Sequence, residues 1–217
     1  MLTDPEEIAI IASAEQSGVR NPQRSREPFF RIFNDFFSQT DFEGRDFLDL
    51  GPGQFDFGEM ARARGGRVQA VDRDPAVLKL GKHKGFDVVT ADLASLKADD
   101  LPQRYDGIFC KYSCNAFWYP QGGAELASHI EQLDRMLKPG GWAWIAPWNG
   151  VARGFPEARV PDLLQEQARL FEAHGFSGLE LSKRLSIRYG VHGSTANSPL
   201  FTRNLPRPWR TLLCQRP

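Results

Sequence analysis

From Asp46 onward, short apolar runs rich in β-branched and aromatic residues alternate with longer stretches of helical periodicity, and few folds accommodate that rhythm. A strand, a helix and another strand in succession bring the strands parallel, because the crossover helix returns the chain to the edge it left. Predicted strands cover 46–50, 67–71, 87–90, 107–111 and 142–146. Predicted helices cover about 57–64, 76–82, 124–137 and 162–174, the last stopped by Gly175. Two further apolar runs, 179–189 and 209–214, have no helical pattern between them and are expected to pair as antiparallel strands. Ahead of Asp46 lie an N-terminal helical stretch, a segment rich in Gly, Asn, Pro and Arg at about 18–28, and a second helix over 28–38. In that helix Phe29, Phe30, Phe33, Phe36 and Phe37 recur at helical spacing, so the aromatic face either covers the core or in part roofs a pocket.

The first predicted strand runs into Phe47-Leu48-Asp49-Leu50-Gly51-Pro52-Gly53-Gln54-Phe55, and a helix follows at once. Glycines let the backbone turn tightly and approach a ligand, and a helix N-terminus presents unbonded N–H groups. Open α/β sheets bind ligands beyond the carboxyl ends of their strands, where this loop falls. A Gly-x-Gly alone serves many nucleotide sites. Asp72 narrows the choice: it ends Val68-Gln69-Ala70-Val71-Asp72, about twenty residues further on, where a carboxylate can accept both hydroxyls of a ribose. Asp92 ends the following run, Val88-Val89-Thr90-Ala91-Asp92-Leu93. Parallel strands bring all three loops to one rim. Taken singly, each aspartate is equally well read as a helix cap or a solvated turn residue.

The succession LDLGPG, VQAVDRDP, VVTADL, YDGIFCKYS and LKPGGWAWIAPW resembles the ordered motifs of class I S-adenosylmethionine-dependent methyltransferases, from Asp46 to Trp148. FEAHGF and the apolar runs after it are similar, more loosely, to that family's closing antiparallel hairpin. The resemblance implies an α/β fold: a Rossmann-like, doubly wound, seven-stranded, mostly parallel sheet with an antiparallel closing hairpin and extra N-terminal helices. It implies a single domain over 1–217, with a helical cover at 1–44, a cofactor-binding core at 45–148 and a closing helix and strands at 149–217. It also implies that Asp49, Leu50, Gly51 and Gly53 form the wall against the methionine portion of S-adenosylmethionine. Asp72 would hold the ribose hydroxyls, and Arg73 beside it would also belong to the cofactor site. Asp92 and Leu93 would meet the adenine through a carboxylate to its exocyclic amine and a backbone N–H. Lys111 and Tyr112 would lie near the methionine amino group and the transferable methyl, which makes Tyr112 a catalytic candidate as well. The family's loop often has a third glycine two residues on, where this chain has Phe55. A nicotinamide-binding Gly-x-Gly-x-x-Gly fits worse, since its third glycine falls on Asp56.

Methyl transfer from a sulfonium is an in-line displacement in which positive charge disappears, so alignment is the protein's main task. A general base is needed when the acceptor carries a proton of high pKa, as a hydroxyl does. After the fourth predicted strand the chain reads Lys111-Tyr112-Ser113-Cys114-Asn115-Ala116-Phe117-Trp118-Tyr119-Pro120, without the Asn/Asp-Pro-Pro-aromatic signature of enzymes that methylate nucleobase or glutamine amines. A small or medium-sized acceptor is therefore expected, with O-methylation favoured. Phe117, Trp118 and Tyr119 either wall the acceptor or fill the space between sheet and helix. His192, on a glycine-flanked loop, is the candidate general base, with an ordinary pKa of about 6.5. Arg153, after Trp148-Asn149, suits an anionic group on the acceptor or is a surface residue. His83, His129 and His174 sit on or beside helices and read as structural.

Lys plus Arg and Asp plus Glu balance at 27 each, so no net basic charge draws the chain to a polyphosphate, and no nucleic-acid partner is expected. Arginines do crowd the end of the chain, from Arg184 and Arg188 to Arg216. No stretch approaches the roughly 20 apolar residues that cross a bilayer, and acidic residues precede the first apolar run where an export signal needs basic ones. The three cysteines lack the companions of a zinc site. A cytoplasmic protein with reduced thiols is expected, without a metal or a membrane, and a homodimer is left open. Two other functions compete: a binding or scaffold protein of the same fold that transfers nothing, and a nicotinamide-linked oxidoreductase.

Overall fold

A computed structural model of the chain describes residues 4–15, 19–21, 25–113, 123–146, 160–191 and 198–206. The strands are β1 (Asp46–Leu50), β2 (Arg67–Asp72), β3 (Asp87–Thr90), β4 (Tyr105–Lys111), β5 (Leu137–Ala146), β6 (Ser177–Leu181) and β7 (Ser198–Arg203). They form one sheet in the order β3-β2-β1-β4-β5-β7-β6, in which β7 runs antiparallel to both of its neighbours. The chain first winds from β1 outward through β2 to β3, then resumes on the other side of β1 with β4. The sheet therefore has its topological switch point between β1 and β4, where Leu50 stands opposite Cys110. A crevice opens there because the connections leaving the two strands diverge to opposite sides.

Period-two alternation explains why both faces are covered. Phe47, Phe109, Trp142 and Trp144 face one layer, with α1 (Pro5–Ala12), α2 (Glu27–Phe36), α3 (Asp56–Arg62) and α4 (Pro75–His83) contributing to the same core. Leu48, Ile108, Cys110, Ala143 and Ile145 face the other, against α5 (Gly123–Met136) and α6 (Val160–Ala173). The first core is aromatic: Phe57 stacks on Phe109 at 4.4 Å, and Phe109 on Trp144 at 4.9 Å. Of the predicted aromatic face on α2 and the residue after it, Phe29, Phe33, Phe36 and Phe37 are buried, whereas Phe30 is 49% exposed. No helix among the described residues is long and apolar enough to cross a membrane.

The closing hairpin departs from the sequence reading. Residues 179–189 were expected as one strand, but β6 stops at Leu181 and α7 (Lys183–Arg188) follows. Leu179, Leu181, Leu185, Ile187 and Tyr189 fall on alternate positions, interrupted at Lys183, which is the strand signal. The chain instead buries Leu181, Ser186 and Tyr189 and leaves Ile187 57% exposed, which is helical spacing. Ser182 starts the turn by accepting the Leu185 N–H. The partner of β6 is β7, not 209–214, which lies outside the described residues. Pro199 at the start of β7 hides that strand from a propensity reading, since proline lacks the ladder donor.

Phe55, where the family often has glycine, adopts a left-handed conformation (φ 66°) at the N-cap of α3. Its ring is fully buried, stacks on Phe86 at 5.0 Å and lies over Gly81, where a Cβ would come within 2.5 Å of Phe55 Cζ. Left-handed backbone costs a non-glycine residue about 1–2 kcal/mol, whereas emptying a phenylalanine site costs about 3–5 kcal/mol. Phe55→Gly is therefore expected to lose about 1–4 kcal/mol in urea unfolding, the balance of those two effects. A variant more stable than wild type would show that the backbone strain dominates.

Candidate functional site

At the switch point, the turn after β1 and the end of β4 enclose a cleft of about 300 Å³. Gly51 (φ 71°) and Gly53 (φ 55°) give the turn its left-handed steps. They serve different neighbours. A Cβ on Gly51 would lie 1.8 Å from Ser113 Oγ, so this glycine lets the chain leaving β4 cross over the loop, and Ser113 Oγ donates to Gly51 O at 3.2 Å. At Gly53 the nearest atom to such a Cβ is Val19 Cγ2, at 3.9 Å.

Of the residues singled out from sequence, Asp49, Gly51, Gly53, Lys111 and Tyr112 line this cleft. Leu50 is buried in the aliphatic core instead, as is the Leu93 side chain. Asp72, Arg73 and Asp92 lie further along the same rim, at the ends of β2 and β3. Asp72 is 5% exposed, and its Oδ1 accepts the N–H groups of Arg73 (2.7 Å) and Asp74 (2.9 Å). Oδ2 has no hydrogen bond among the described residues. Burial pushes the Asp72 carboxyl above the usual carboxylate range, and the two N–H bonds offset this only in part. Asp92 is held differently: Oδ1 accepts the Ala94 N–H (2.9 Å) and Oδ2 pairs with Arg73 Nη1 (2.7 Å), which together hold its carboxyl below the usual range.

Lys111 Nζ lies 4.8 Å from the centre of the Phe29 ring and 4.6 Å from that of Tyr112, a cation between two aromatic faces. Tyr112 takes a left-handed conformation (φ 67°), its N–H donating to Ala146 O at 3.0 Å. Although the residue is 42% exposed, partial burial raises the pKa of its hydroxyl, so the phenol stays protonated at neutral pH. Gly190 approaches Lys111 from α7: a Cβ there would lie 3.7 Å from Lys111 Nζ. His192 lies outside the described residues, as do Phe117, Trp118, Tyr119, Trp148, Asn149 and Arg153. His83 Nε2 meets Asp4 Oδ2 at 3.0 Å and His129 Nε2 meets Ala94 O at 2.8 Å, both away from the cleft.

Sequence reading did not find Val19, Gln54 or Phe109, which also line the cleft, whereas Ser113, within the run after β4 expected to border the acceptor, does line it. Phe29 had a signal, since the aromatic face of its helix was read as covering the core or in part roofing a pocket. Gln54 had none, because a glutamine in a glycine turn carries no periodicity.

Residues 48–145 match the family model described as a methyltransferase domain. No curated protein matches the chain. Among solved structures, a TehB-like SAM-dependent methyltransferase from Corynebacterium glutamicum ATCC 13032 Kitasato is similar with a TM-score of 0.58 and 15% identity, over 93% of this chain and 100% of that one. NodS, an N-methyltransferase from Bradyrhizobium japonicum WM9 in complex with S-adenosyl-L-homocysteine, has a TM-score of 0.57 and 11% identity, over 93% and 97%. CalS10, an amino pentose methyltransferase from Micromonospora echinaspora, has a TM-score of 0.56 and 16% identity, over 94% and 98%. At such identities the likeness is one of fold.

Proposed function

We propose that the chain, whose residues 48–145 match the methyltransferase-domain family, is a class I S-adenosylmethionine-dependent methyltransferase and that it methylates a small-molecule acceptor at a hydroxyl oxygen. The observation that carries the reading is the pairing of a glycine-walled cleft at the switch point with the buried Asp72 on the neighbouring strand end. Keeping a carboxylate buried against its own desolvation is unfavourable for the fold alone. A pair of ribose hydroxyls donating to Oδ2 offsets that penalty, so the residues present fit the cofactor.

S-Adenosylmethionine supplies a methyl on a sulfonium, which leaves in line as the sulfur loses its charge. Asp49 and the turn at Gly51 and Gly53, with Leu50 contributing backbone, bound the methionine portion. Asp72 holds the ribose. Arg73, Asp92 and the backbone of Leu93 form the adenine end. An ammonium attracts a carboxylate and repels another ammonium, so we assign Lys111 to the methionine carboxylate and not to the amino group. Tyr112 orients the acceptor by donating its phenolic hydrogen. His192 stands two residues beyond Gly190, which approaches Lys111, and is assigned as the base that takes the hydroxyl proton. The sequence after β4, lacking the amine signature, favours oxygen as the nucleophile.

The test is transfer of labelled methyl to a panel of hydroxyl and amine acceptors, with the label expected on oxygen and the rate falling in acid as His192 protonates. Label found only on nitrogen, or none transferred while S-adenosylhomocysteine binds, would overturn the assignment, the latter in favour of a binding protein. Lys111→Met is expected to weaken S-adenosylhomocysteine about tenfold in calorimetric titration, the worth of one charge-assisted contact. Binding of 5′-methylthioadenosine, which has no amino-acid portion, should not change. Equal losses for both ligands would contradict the carboxylate assignment.

A further inference from the structure

We infer that residues 19–21 are a strap held over the cofactor cleft, tied back to Ala14 and Glu15, and that Gln54 is the positioning residue that latches it. The identity of the ligand rests on the proposed function, whereas the latch itself does not. Val19 is the strap's contact with the cleft, buried and facing the turn at Gly53. Gln54, next along that turn, is 5% exposed. Its Nε2 donates to Val19 O and to Asn21 O, each at 2.7 Å, so both hydrogens of the carboxamide are committed to strap carbonyls. The chain makes no helix or strand at these residues, so their carbonyls have no ladder partner, and Gln54 gives the carbonyl of the buried Val19 and that of Asn21 a donor each.

Glu15, to which the strap is tied back, is itself tied to the loop after β2. The Glu15 N–H donates to Asp74 Oδ2 at 2.8 Å, and the Asp74 N–H donates to Asp72 Oδ1. Arg20 ties the strap back, its Nε donating to Ala14 O and its Nη2 to Glu15 O at 3.2 Å. The strap thus joins the methionine-side turn to the ribose-side turn through side chain to backbone bonds. A ligand lying along both turns is covered by Val19, and its release by that route requires the two Gln54 bonds to break. Gln54 touches the strap and not the reacting atoms, so its effect is on residence time and not on the chemical step.

The experiment compares the full chain with Gln54→Leu, which keeps the volume and removes both donors. Amide hydrogen exchange at residues 19–21, measured without ligand, is expected to quicken about tenfold, with exchange in β1 and β4 unchanged. Dissociation of S-adenosylhomocysteine, followed by stopped-flow fluorescence, is expected to quicken by a similar factor, about tenfold. The latch is refuted if a folded Gln54→Leu protein exchanges at 19–21 as the wild type does, and the closure is refuted if the loosened strap leaves dissociation unchanged. If the wild type binds no S-adenosylhomocysteine, faster exchange still supports the latch while the proposed function falls. If Gln54→Leu does not fold, Val19→Ala decides: it trims the cover without touching the latch, and unchanged dissociation from it refutes the strap.

Discussion

Asp72→Asn is expected to bind S-adenosylhomocysteine about a hundredfold less tightly than the wild type, the worth of about two hydrogen bonds to a charged acceptor. It should nevertheless melt at or above the wild-type temperature. Asparagine keeps an oxygen for the Arg73 and Asp74 N–H groups, so the turn that leads into α4 is preserved. What it removes is a buried charge. Because burial raises the folded-state pKa of Asp72 above the ordinary 3.8, folding takes up a proton between those two values. The stability contributed by this group therefore falls as pH rises through that window, and above it the ionised carboxylate is a constant penalty. Asparagine carries neither the slope nor the penalty. The stability of the variant relative to wild type should grow from acid to neutral pH, measured by thermal melts across the range. Unchanged affinity would remove the ribose from Asp72, and a variant less stable at neutral pH would mean that the carboxylate holds the turn through its charge.

Gly51→Ala is expected to lose about 3 kcal/mol of stability in urea unfolding, combining about 1–2 kcal/mol of left-handed strain with about 1–3 kcal/mol of overpacking. The new methyl would lie 1.8 Å from Ser113 Oγ and 2.3 Å from Ser113 Cβ, so the chain leaving β4 has to move off the loop. Because Lys111 and Tyr112 immediately precede Ser113, the same movement should distort the cleft and abolish cofactor binding. A double-mutant cycle separates the two causes. Adding Ser113→Gly removes both clashing atoms and should recover about 1–2 kcal/mol of coupling, leaving the backbone strain of a φ near +71°. Additive losses in the cycle would show that the glycine is needed for its backbone conformation alone.

The parts of the fold that were legible in sequence share a physical basis. In β1, β4 and β5 the side chains alternate between two cores, and the helices on each face carry a matching apolar stripe, so each element announces itself through its own period. The switch-point rim follows from the order of those elements. The closing region was misread because its local pattern competes with its tertiary role. The residues of α7 repeat apolar side chains at the spacing of a strand, yet the surface offered by α2, where Tyr189 and Arg188 both reach Asp35, accepts a helical turn. The β7 strand carries a proline, and only its place between β5 and β6 makes it a strand.

The site divides along the same line. Sequence alone determined which loops meet at the rim and which residues there are acidic, glycine or cationic, because strand ends and turn chemistry are properties of neighbouring residues. Tertiary structure decided the rest. It assigned Gly51 to the crossing of Ser113, engaged Asp92 with Arg73, left Asp72 Oδ2 available, and brought Val19 and Phe29 from the N-terminal segment to close the cleft. Apart from the open Oδ2, each of these is a contact between residues separated along the chain. Such contacts leave no periodic trace, since they depend on how packed layers bring distant loops together and not on the spacing of residues within any one element.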